Sequence, residues 1–299
     1  MKEIVVVSGK GGSGKTTLAA SLAYMLHQEG FRVVAADTDV DTPTLHFMLP
    51  IKKREKKFEI YMSRKAYVDE AKCDSCYKCL DVCPYGAIEL QGEGLKPKVN
   101  SFYCEGCGAC ALACPRSAIE MREARTGFML VGECEFGFPI ITAQLEVGEH
   151  NTGPLVHEIR DKAAEIAKSL NADVLVTDGS PGIGCTVIAS ISGASYVAVV
   201  SEPTPQSFRG GFRAAKIAQQ FRIPLGFAIN KSMGYKIEEE AEKIISIMNV
   251  KLIGKIPYDY SVVEALTMMR PVVAHKPDSP ASRAIKIVSE NIKVGAGLK

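Results

Sequence analysis

The sequence predicts an α/β fold: a doubly wound, mostly parallel sheet into which a small α+β domain is inserted. Three observations predict it. A glycine-rich loop, residues 8–17, stands between an apolar strand-like run at 4–7 and a helical stretch at 18–26. Apolar runs and helical stretches alternate through the second half of the chain, the pattern of parallel strands with helices on both faces. Between these regions a cysteine-rich segment repeats itself with an offset of 31 residues.

The 299 residues are 46% hydrophobic and 23% charged, enough for one large domain or two. A net charge of +2 gives no reason to expect nucleic acid or an anionic membrane as partner. No apolar run reaches the roughly 18–20 residues that span a bilayer, so no membrane insertion is expected. The N-terminus runs straight into a strand with no signal peptide, and the expected compartment is the cytoplasm. There, ten cysteines point to metal binding rather than to disulfides.

The first segment reads as strand, loop, helix, strand. Gly9, Gly14, Lys15 and Thr16 meet the pattern G-x4-G-K-[ST] of a phosphate-binding loop. In such a loop the backbone N–H groups from Gly11, Gly12 and Ser13 to Thr17 turn inward on phosphate oxygens, and the helix N-terminus adds partial positive charge. Lys15 is expected on the β- and γ-phosphates of ATP or ADP, and the Thr16 hydroxyl on magnesium. The helix ends near Gly30, read as its C′ residue. A strand at 31–36 follows, then Asp37, Asp39 and Asp41, three carboxylates at the carboxyl end of a strand, where a doubly wound sheet puts its ligand.

Lys10, one residue after the first glycine, gives K-G-G-x-G-K-T-T. This variant resembles the deviant Walker A motif of the MinD, ParA, Mrp and nitrogenase iron protein superfamily. The resemblance implies a MinD-like (SIMIBI) P-loop ATPase that forms an ATP-dependent homodimer, with Lys10 reaching the partner's nucleotide. It also implies that Asp37 holds magnesium through water. Asp39 or Asp41 orients the attacking water; the sequence does not choose between them.

Residues 51–57 read as a charged, solvated boundary. After it, Cys73, Cys76, Cys79 and Cys83-Pro84 recur as Cys104, Cys107, Cys110 and Cys114-Pro115. C-x2-C-x2-C-x3-C-P twice over resembles the bacterial two-cluster ferredoxins, in which the fourth ligand comes from the other repeat. One 4Fe–4S cluster is then expected on Cys73, Cys76, Cys79 and Cys114, the other on Cys104, Cys107, Cys110 and Cys83. Zinc would take two separated cysteine pairs instead. Short strands at 67–68, 87–90, 98–100 and 118–121 are expected to cap the clusters. The insert is placed at 56–123 and the nucleotide domain at 1–55 and 124–299.

The nucleotide domain resumes with strands at 128–131 and 140–145 and a helix at 153–170. The buried strand 172–177 ends in Asp178-Gly179-Ser180-Pro181-Gly182. That ending resembles the family's Walker B and switch II segment, with Asp178 on magnesium through water and the Gly182 N–H toward the γ-phosphate. Strands at 196–200, 225–229 and 251–256 alternate with helices at 206–221 and 237–248. Directly after the strand at 225–229, Asn230-Lys231 resembles the family's base-reading pair, with a capping asparagine as the alternative, and Pro257, after the strand at 251–256, resembles the segment bordering the base. A final helix at 282–294 is expected to pack on the domain through Ile285, Ile287, Val288 and Ile292. Two cysteines are left over. Cys134 and Cys185 are either small buried hydrophobes or, as in the nitrogenase iron protein, ligands of a bridging cluster.

The expectation is an ATPase that couples nucleotide state to electron transfer or to iron–sulfur cluster delivery, with an unidentified redox or cluster-acceptor protein. A MinD-like positioning switch with a structural or sensory ferredoxin is the alternative.

Overall fold

The computed structural model describes residues 1–92, 94–149 and 152–298. The chain opens with β1 (Lys2–Ser8), α1 (Lys15–Gln28), β2 (Val33–Asp37), α2 (Leu45–Met48) and β3 (Ile51–Val68). It continues through α3 (Lys78–Asp81), β4 (Ile88–Gln91), β5 (Lys96–Val99), α4 (Ala109–Ala113), β6 (Ile119–Cys134) and β7 (Pro139–Leu145). Then come α5 (Thr152–Ser169), β8 (Val174–Pro181), α6 (Cys185–Ile191), β9 (Tyr196–Ser201) and α7 (Pro205–Gln220). The chain closes with β10 (Leu225–Ser232), α8 (Lys236–Ile247), β11 (Lys251–Pro257), α9 (Tyr260–Thr267), α10 (Val272–His275) and α11 (Pro280–Ala296).

Two compact units emerge. The first comprises Met1–Lys57, Met129–Gln144 and Thr152–Lys299; the second comprises Phe58–Phe128 and Leu145–Asn151. The sheet order is β11-β10-β9-β1-β8-β2-β7-β6-β3. Strands β11, β10, β9, β1, β8, β2 and β7 pair in parallel. The register places Asp37 of β2 beside Asp178 of β8, so two carboxylates meet at adjacent strand ends.

The central strands are apolar throughout because both faces are covered. Side chains alternate along β1 with period two. Ile4 and Val6 pack with Leu18, Leu22 and Leu26 of α1 and Ile285, Val288 and Ile292 of α11. Val5 and Val7 face the opposite way and pack with Ala214 and Ala218 of α7 and Ala241 and Ile245 of α8. Each fully buried leucine or isoleucine contributes about 1.5–3 kcal/mol. Of the apolar residues expected to seat α11, Ile287 lies on its outer face, 60% exposed.

The charged segment 51–57 is strand rather than linker. It opens β3 at the edge of the sheet, and exposed lysines there discourage pairing with another chain. α6, α9 and α10 had no helical reading in the sequence; α6 and α10 are two turns or fewer, too short for a 3.6-residue period to register.

In the second unit, β4 and β5 form an antiparallel ribbon, with Ile88 opposite Val99. The sequence repeat is also a backbone repeat. Ser75 and Gly106, Tyr77 and Gly108, and Gly86 and Ser117 all have positive φ, and each pair is 31 residues apart. The first two pairs bend the cysteine loops alike ahead of α3 and α4, and the third bends the chain alike after those helices. A small core of Ala66, Val68, Ala87, Ile88 and Ile119 includes Cys79, Cys104 and Cys110.

Candidate functional site

The first unit holds a cavity of about 640 Å³ at the carboxyl ends of its parallel strands, a volume typical of ligand pockets. Gly11, Gly12, Gly14, Lys15, Thr16 and Thr17 line it, as do Asp39, Asp41, Asn230 and Pro257. Gly9 and Ser13 support the loop from behind. Gly9 packs on the backbone of α7: a Cβ there would lie 2.0 Å from the Gly210 carbonyl carbon. The Ser13 hydroxyl bonds the Lys10 carbonyl and meets the Ser207 hydroxyl of α7. Gly14 has φ 91° and opens α1, and a Cβ there would collide with the Asn230 amide.

Lys15 is buried against two carboxylates. Its Nζ donates to Asp178 Oδ1 at 2.9 Å and lies 3.3 Å from Asp39 Oδ2. Burial works against the ammonium charge, but Asp178, Asp39 and Asp37 outweigh it and hold the lysine above its ordinary value. Asp37 is fully buried beneath the cavity. Its Oδ2 accepts from the Thr44 and Leu45 N–H groups and its Oδ1 from that of Asp39, fixing the loop that follows β2. Burial and the facing Asp178 push the Asp37 carboxyl up to about 8, against the pull of Lys15. Burial likewise raises Asp39. Asp178 Oδ2 is buried with no hydrogen-bond partner among the described residues. An orphaned carboxylate oxygen beside a buried acid is a setting that a divalent cation relieves. Thr16 Oγ1 is 3.2 Å from Thr44 Oγ1.

Other expected residues have local partners. Lys10 Nζ pairs with Glu202 Oε1 at 2.8 Å within its own chain. Lys231 Nζ pairs with Glu202 Oε2 and donates to the Gly12 carbonyl. The Asn230 amide donates to the Ser13 carbonyl, so it braces the phosphate loop. The Gly182 N–H is taken by the Ser8 carbonyl at 2.8 Å. Glu202 and Thr44 had no role in the sequence reading. Glu202 follows β9 directly, before a proline, and the strand-end rule that singled out Asp178 would have found it too.

In the second unit the repeat of eight cysteines becomes spatial. None of the ten cysteines is in a disulfide. Cys73, Cys76, Cys79 and Cys114 line one small pocket. Cys104, Cys107, Cys110 and Cys83 line a second. Each pocket joins three cysteines of one repeat to the last cysteine of the other. Among the described residues no three His, Cys, Asp or Glu side chains converge on a single ion. Backbone N–H groups already point at the sulfurs: Ala87 to Cys83 Sγ at 3.4 Å, and Ala118 to Cys114 Sγ at 3.2 Å. Ala66 does the same for Cys104 at 3.5 Å. Burial, reinforced by neighbouring cysteines, pushes the Cys79 and Cys110 thiols up. The donor set fits an iron–sulfur cluster better than free thiolates.

The two remaining cysteines lie in the first unit. Cys134 is buried in the core near Phe138, and Cys185 is exposed at the first residue of α6.

Comparison with known proteins gives a consistent answer. The family described as the CobQ/CobB/MinD/ParA nucleotide binding domain matches residues 4–272. An uncharacterised protein of Methanocaldococcus jannaschii is 33% identical, covering 97% of this chain and 96% of its own length. An iron-sulfur cluster carrier protein of Pyrococcus horikoshii is 24% identical, covering 97% of this chain and 85% of its own. Among solved structures, the septum site-determining protein MinD of Pyrococcus horikoshii, complexed with Mg-ADP, superposes with a TM-score of 0.59 at 17% identity. That superposition covers 99% of this chain and 98% of the other, and it shows the fold.

Proposed function

The chain belongs to the CobQ/CobB/MinD/ParA nucleotide-binding family, and from that premise we propose that it is a magnesium-dependent ATPase coupling its nucleotide state to two 4Fe–4S clusters. The observation that carries the reading is the crossed assignment of cysteines. Two pockets each gather three cysteines of one repeat and the fourth of the other, in a chain whose other unit carries a complete phosphate loop.

In the nucleotide unit, Lys15 exchanges its carboxylate partners for the β- and γ-phosphates of ATP, and the loop N–H groups hold the phosphate oxygens. Thr16, Asp37 and Asp178 are the residues that hold magnesium, the last two through water. Asp39 is the group that orients the attacking water, because it sits beside Lys15 while Asp41 lies exposed at the pocket rim. Lys10, released from Glu202, reaches the nucleotide of a second copy, so ATP favours the dimer. Asn230 and Pro257 flank the base.

In the second unit, Cys73, Cys76, Cys79 and Cys114 hold one cluster, and Cys104, Cys107, Cys110 and Cys83 the other. Such clusters supply one-electron redox chemistry. The N–H donors of Ala66, Ala87 and Ala118 stabilise charge on sulfur. The segment 37–44 binds the nucleotide's magnesium side, and the chain leaves for the insert soon after it. Ordering of such a segment by the γ-phosphate, and its release on hydrolysis, is the means by which nucleotide state reaches the insert. The iron-sulfur carrier among the relatives supports cluster delivery as one output.

Lys15→Ala tests the division of labour. It should abolish ATP turnover while anaerobic iron analysis still finds about eight irons per chain. Fewer than about two irons in the wild-type protein would refute the cluster assignment. Iron lost only with Lys15 would refute the independence of the two units.

A further inference from the structure

A second cavity, of about 410 Å³, lies on the first unit between α7 and α8, away from the phosphate loop's ligand face. Its wall on α7 carries Arg209, Arg213 and Lys216. These are i, i+4 and i+7 on one helix, so they form a single row about 10 Å long. None of the three side chains makes an ion pair or hydrogen bond with a described residue. Elsewhere on this chain exposed cations are commonly paired, as Arg32 is with Asp173, Arg116 with Asp74 and Lys276 with Glu264. The floor is apolar: Phe212 and Ile237 are half-buried and Ile244 is 41% exposed. The opposite wall on α8 presents Glu240.

We propose that this groove docks an acidic amphipathic helix of a partner protein. The proposal is independent of the cluster reading. A groove between two helices accepts a third helix by its apolar ridge. The row of three unpaired cations requires carboxylates repeating at helical spacing along one border of that ridge, and Glu240 on the other wall excludes carboxylates from the other border. The charge balance sets aside other occupants. Three cations facing an acid on the opposite wall, in a chain of net charge +2, are too few for a nucleic-acid track. The apolar residues line a concavity, whereas a lipid surface is met by a protruding apolar face.

The groove also has a path to the nucleotide. On its inner side α7 meets the phosphate loop backbone to backbone, with a Cβ at Gly210 falling 2.5 Å from the Gly9 carbonyl oxygen. The Ser207 hydroxyl, in the first turn of α7, accepts from the Glu202 N–H at 3.0 Å and meets the Ser13 hydroxyl at 3.1 Å. Glu202 in turn holds Lys10. A helix seated against α7 therefore bears on the phosphate loop.

The test uses the full chain and a fluorescein-labelled synthetic helix with leucines on one face and glutamates at i, i+4 and i+7 beside them. Fluorescence anisotropy should show saturable binding. The variant R209E/R213E/K216E should bind it at least about tenfold more weakly, and should regain affinity for a helix carrying lysines in place of the glutamates. A helix with serines in place of leucines should not bind. Lys15→Ala should bind like the wild type, which separates this result from any failure of ATP turnover. The proposal is overturned if the charge-reversed variant, with an unchanged thermal midpoint, binds the acidic helix as well as the wild type does. It is overturned equally if the serine helix binds as tightly. Absence of peptide binding, alongside three-cation-dependent binding to phosphatidylserine vesicles or to duplex DNA, assigns the row to those surfaces and refutes it too.

Discussion

Lys15 sits where three carboxylates compete for one ammonium, and the distances rank them. Asp178 accepts its hydrogen bond at 2.9 Å, Asp39 stands at 3.3 Å, and Asp37 acts from beneath through charge alone. The same distances are the basis of the proposal that Asp39 rather than Asp41 orients the attacking water. Asp39 is 8% exposed beside the lysine, whereas Asp41 faces solvent. Asp39→Asn should therefore lower steady-state ATP turnover by about a hundredfold or more, and Asp41→Asn by less than about tenfold. Equal losses would place the water-orienting role elsewhere. Sequence spacing had marked Lys15, Thr16, Asp37 and Asp178 because strand ends and glycine loops are local signals. The strand-end rule applies to Glu202 as to Asp178, but its partners, Lys10 of the phosphate loop and Lys231 of β10, are joined to it by no local pattern.

At the scale of elements, two helices depend on contacts that a single change would break. α7 lies on the phosphate loop only because Gly9 and Gly210 lack side chains. Gly210→Ala should destabilise the protein by about 1–3 kcal/mol in urea denaturation, since the added Cβ meets backbone rather than a side chain that can turn away. α9 is capped by Asp259, whose carboxylate accepts from the Ser261 N–H and, across the fold, from the Ala281 N–H of α11. Burial opposes its charge, yet these hydrogen bonds prevail and hold the carboxyl below its ordinary value of 3.8. A depressed acid stabilises the fold above its unfolded value, and the contribution is lost as pH falls through that value and below. Asp259→Ala should cost about 1 kcal/mol at pH 7. The gap between variant and wild type should shrink in thermal melts taken below about pH 4. In the insert, Lys65 Nζ donates to the Cys104 carbonyl at 2.7 Å and pairs with Glu149, so one cysteine loop has a cation at its back. On the proposed ligation, Lys65→Met should make one of two reduction potentials more negative and leave the other unmoved in a redox titration.

The whole molecule explains which features a sequence exposes. Alternating apolar runs gave the parallel sheet, because strands covered on both faces must be apolar along their length. The repeat of cysteines at 31-residue offset foretold the paired loops, and the same offset recurs in the positive φ values. Hidden from the sequence was the length of β3 and β6. The charged opening of β3, residues 51–57, looks like linker, because an edge strand faces water and carries no alternating apolar signal. Lys231 was also hidden in its role: its positive φ and its two partners arise from the packing of β10 against the loop.

On the proposed function, nucleotide state and cluster state are coupled in one chain. Low-temperature EPR of the dithionite-reduced protein tests it most directly, recorded without nucleotide, with Mg-ADP, and with a non-hydrolysable Mg-ATP analogue. The expected result is signals of two reduced 4Fe–4S clusters whose shape or midpoint potential changes with the ATP analogue, a change that Lys15→Ala abolishes. Spectra and potentials identical in all three states, in a protein that binds the analogue and holds its full iron, would contradict it.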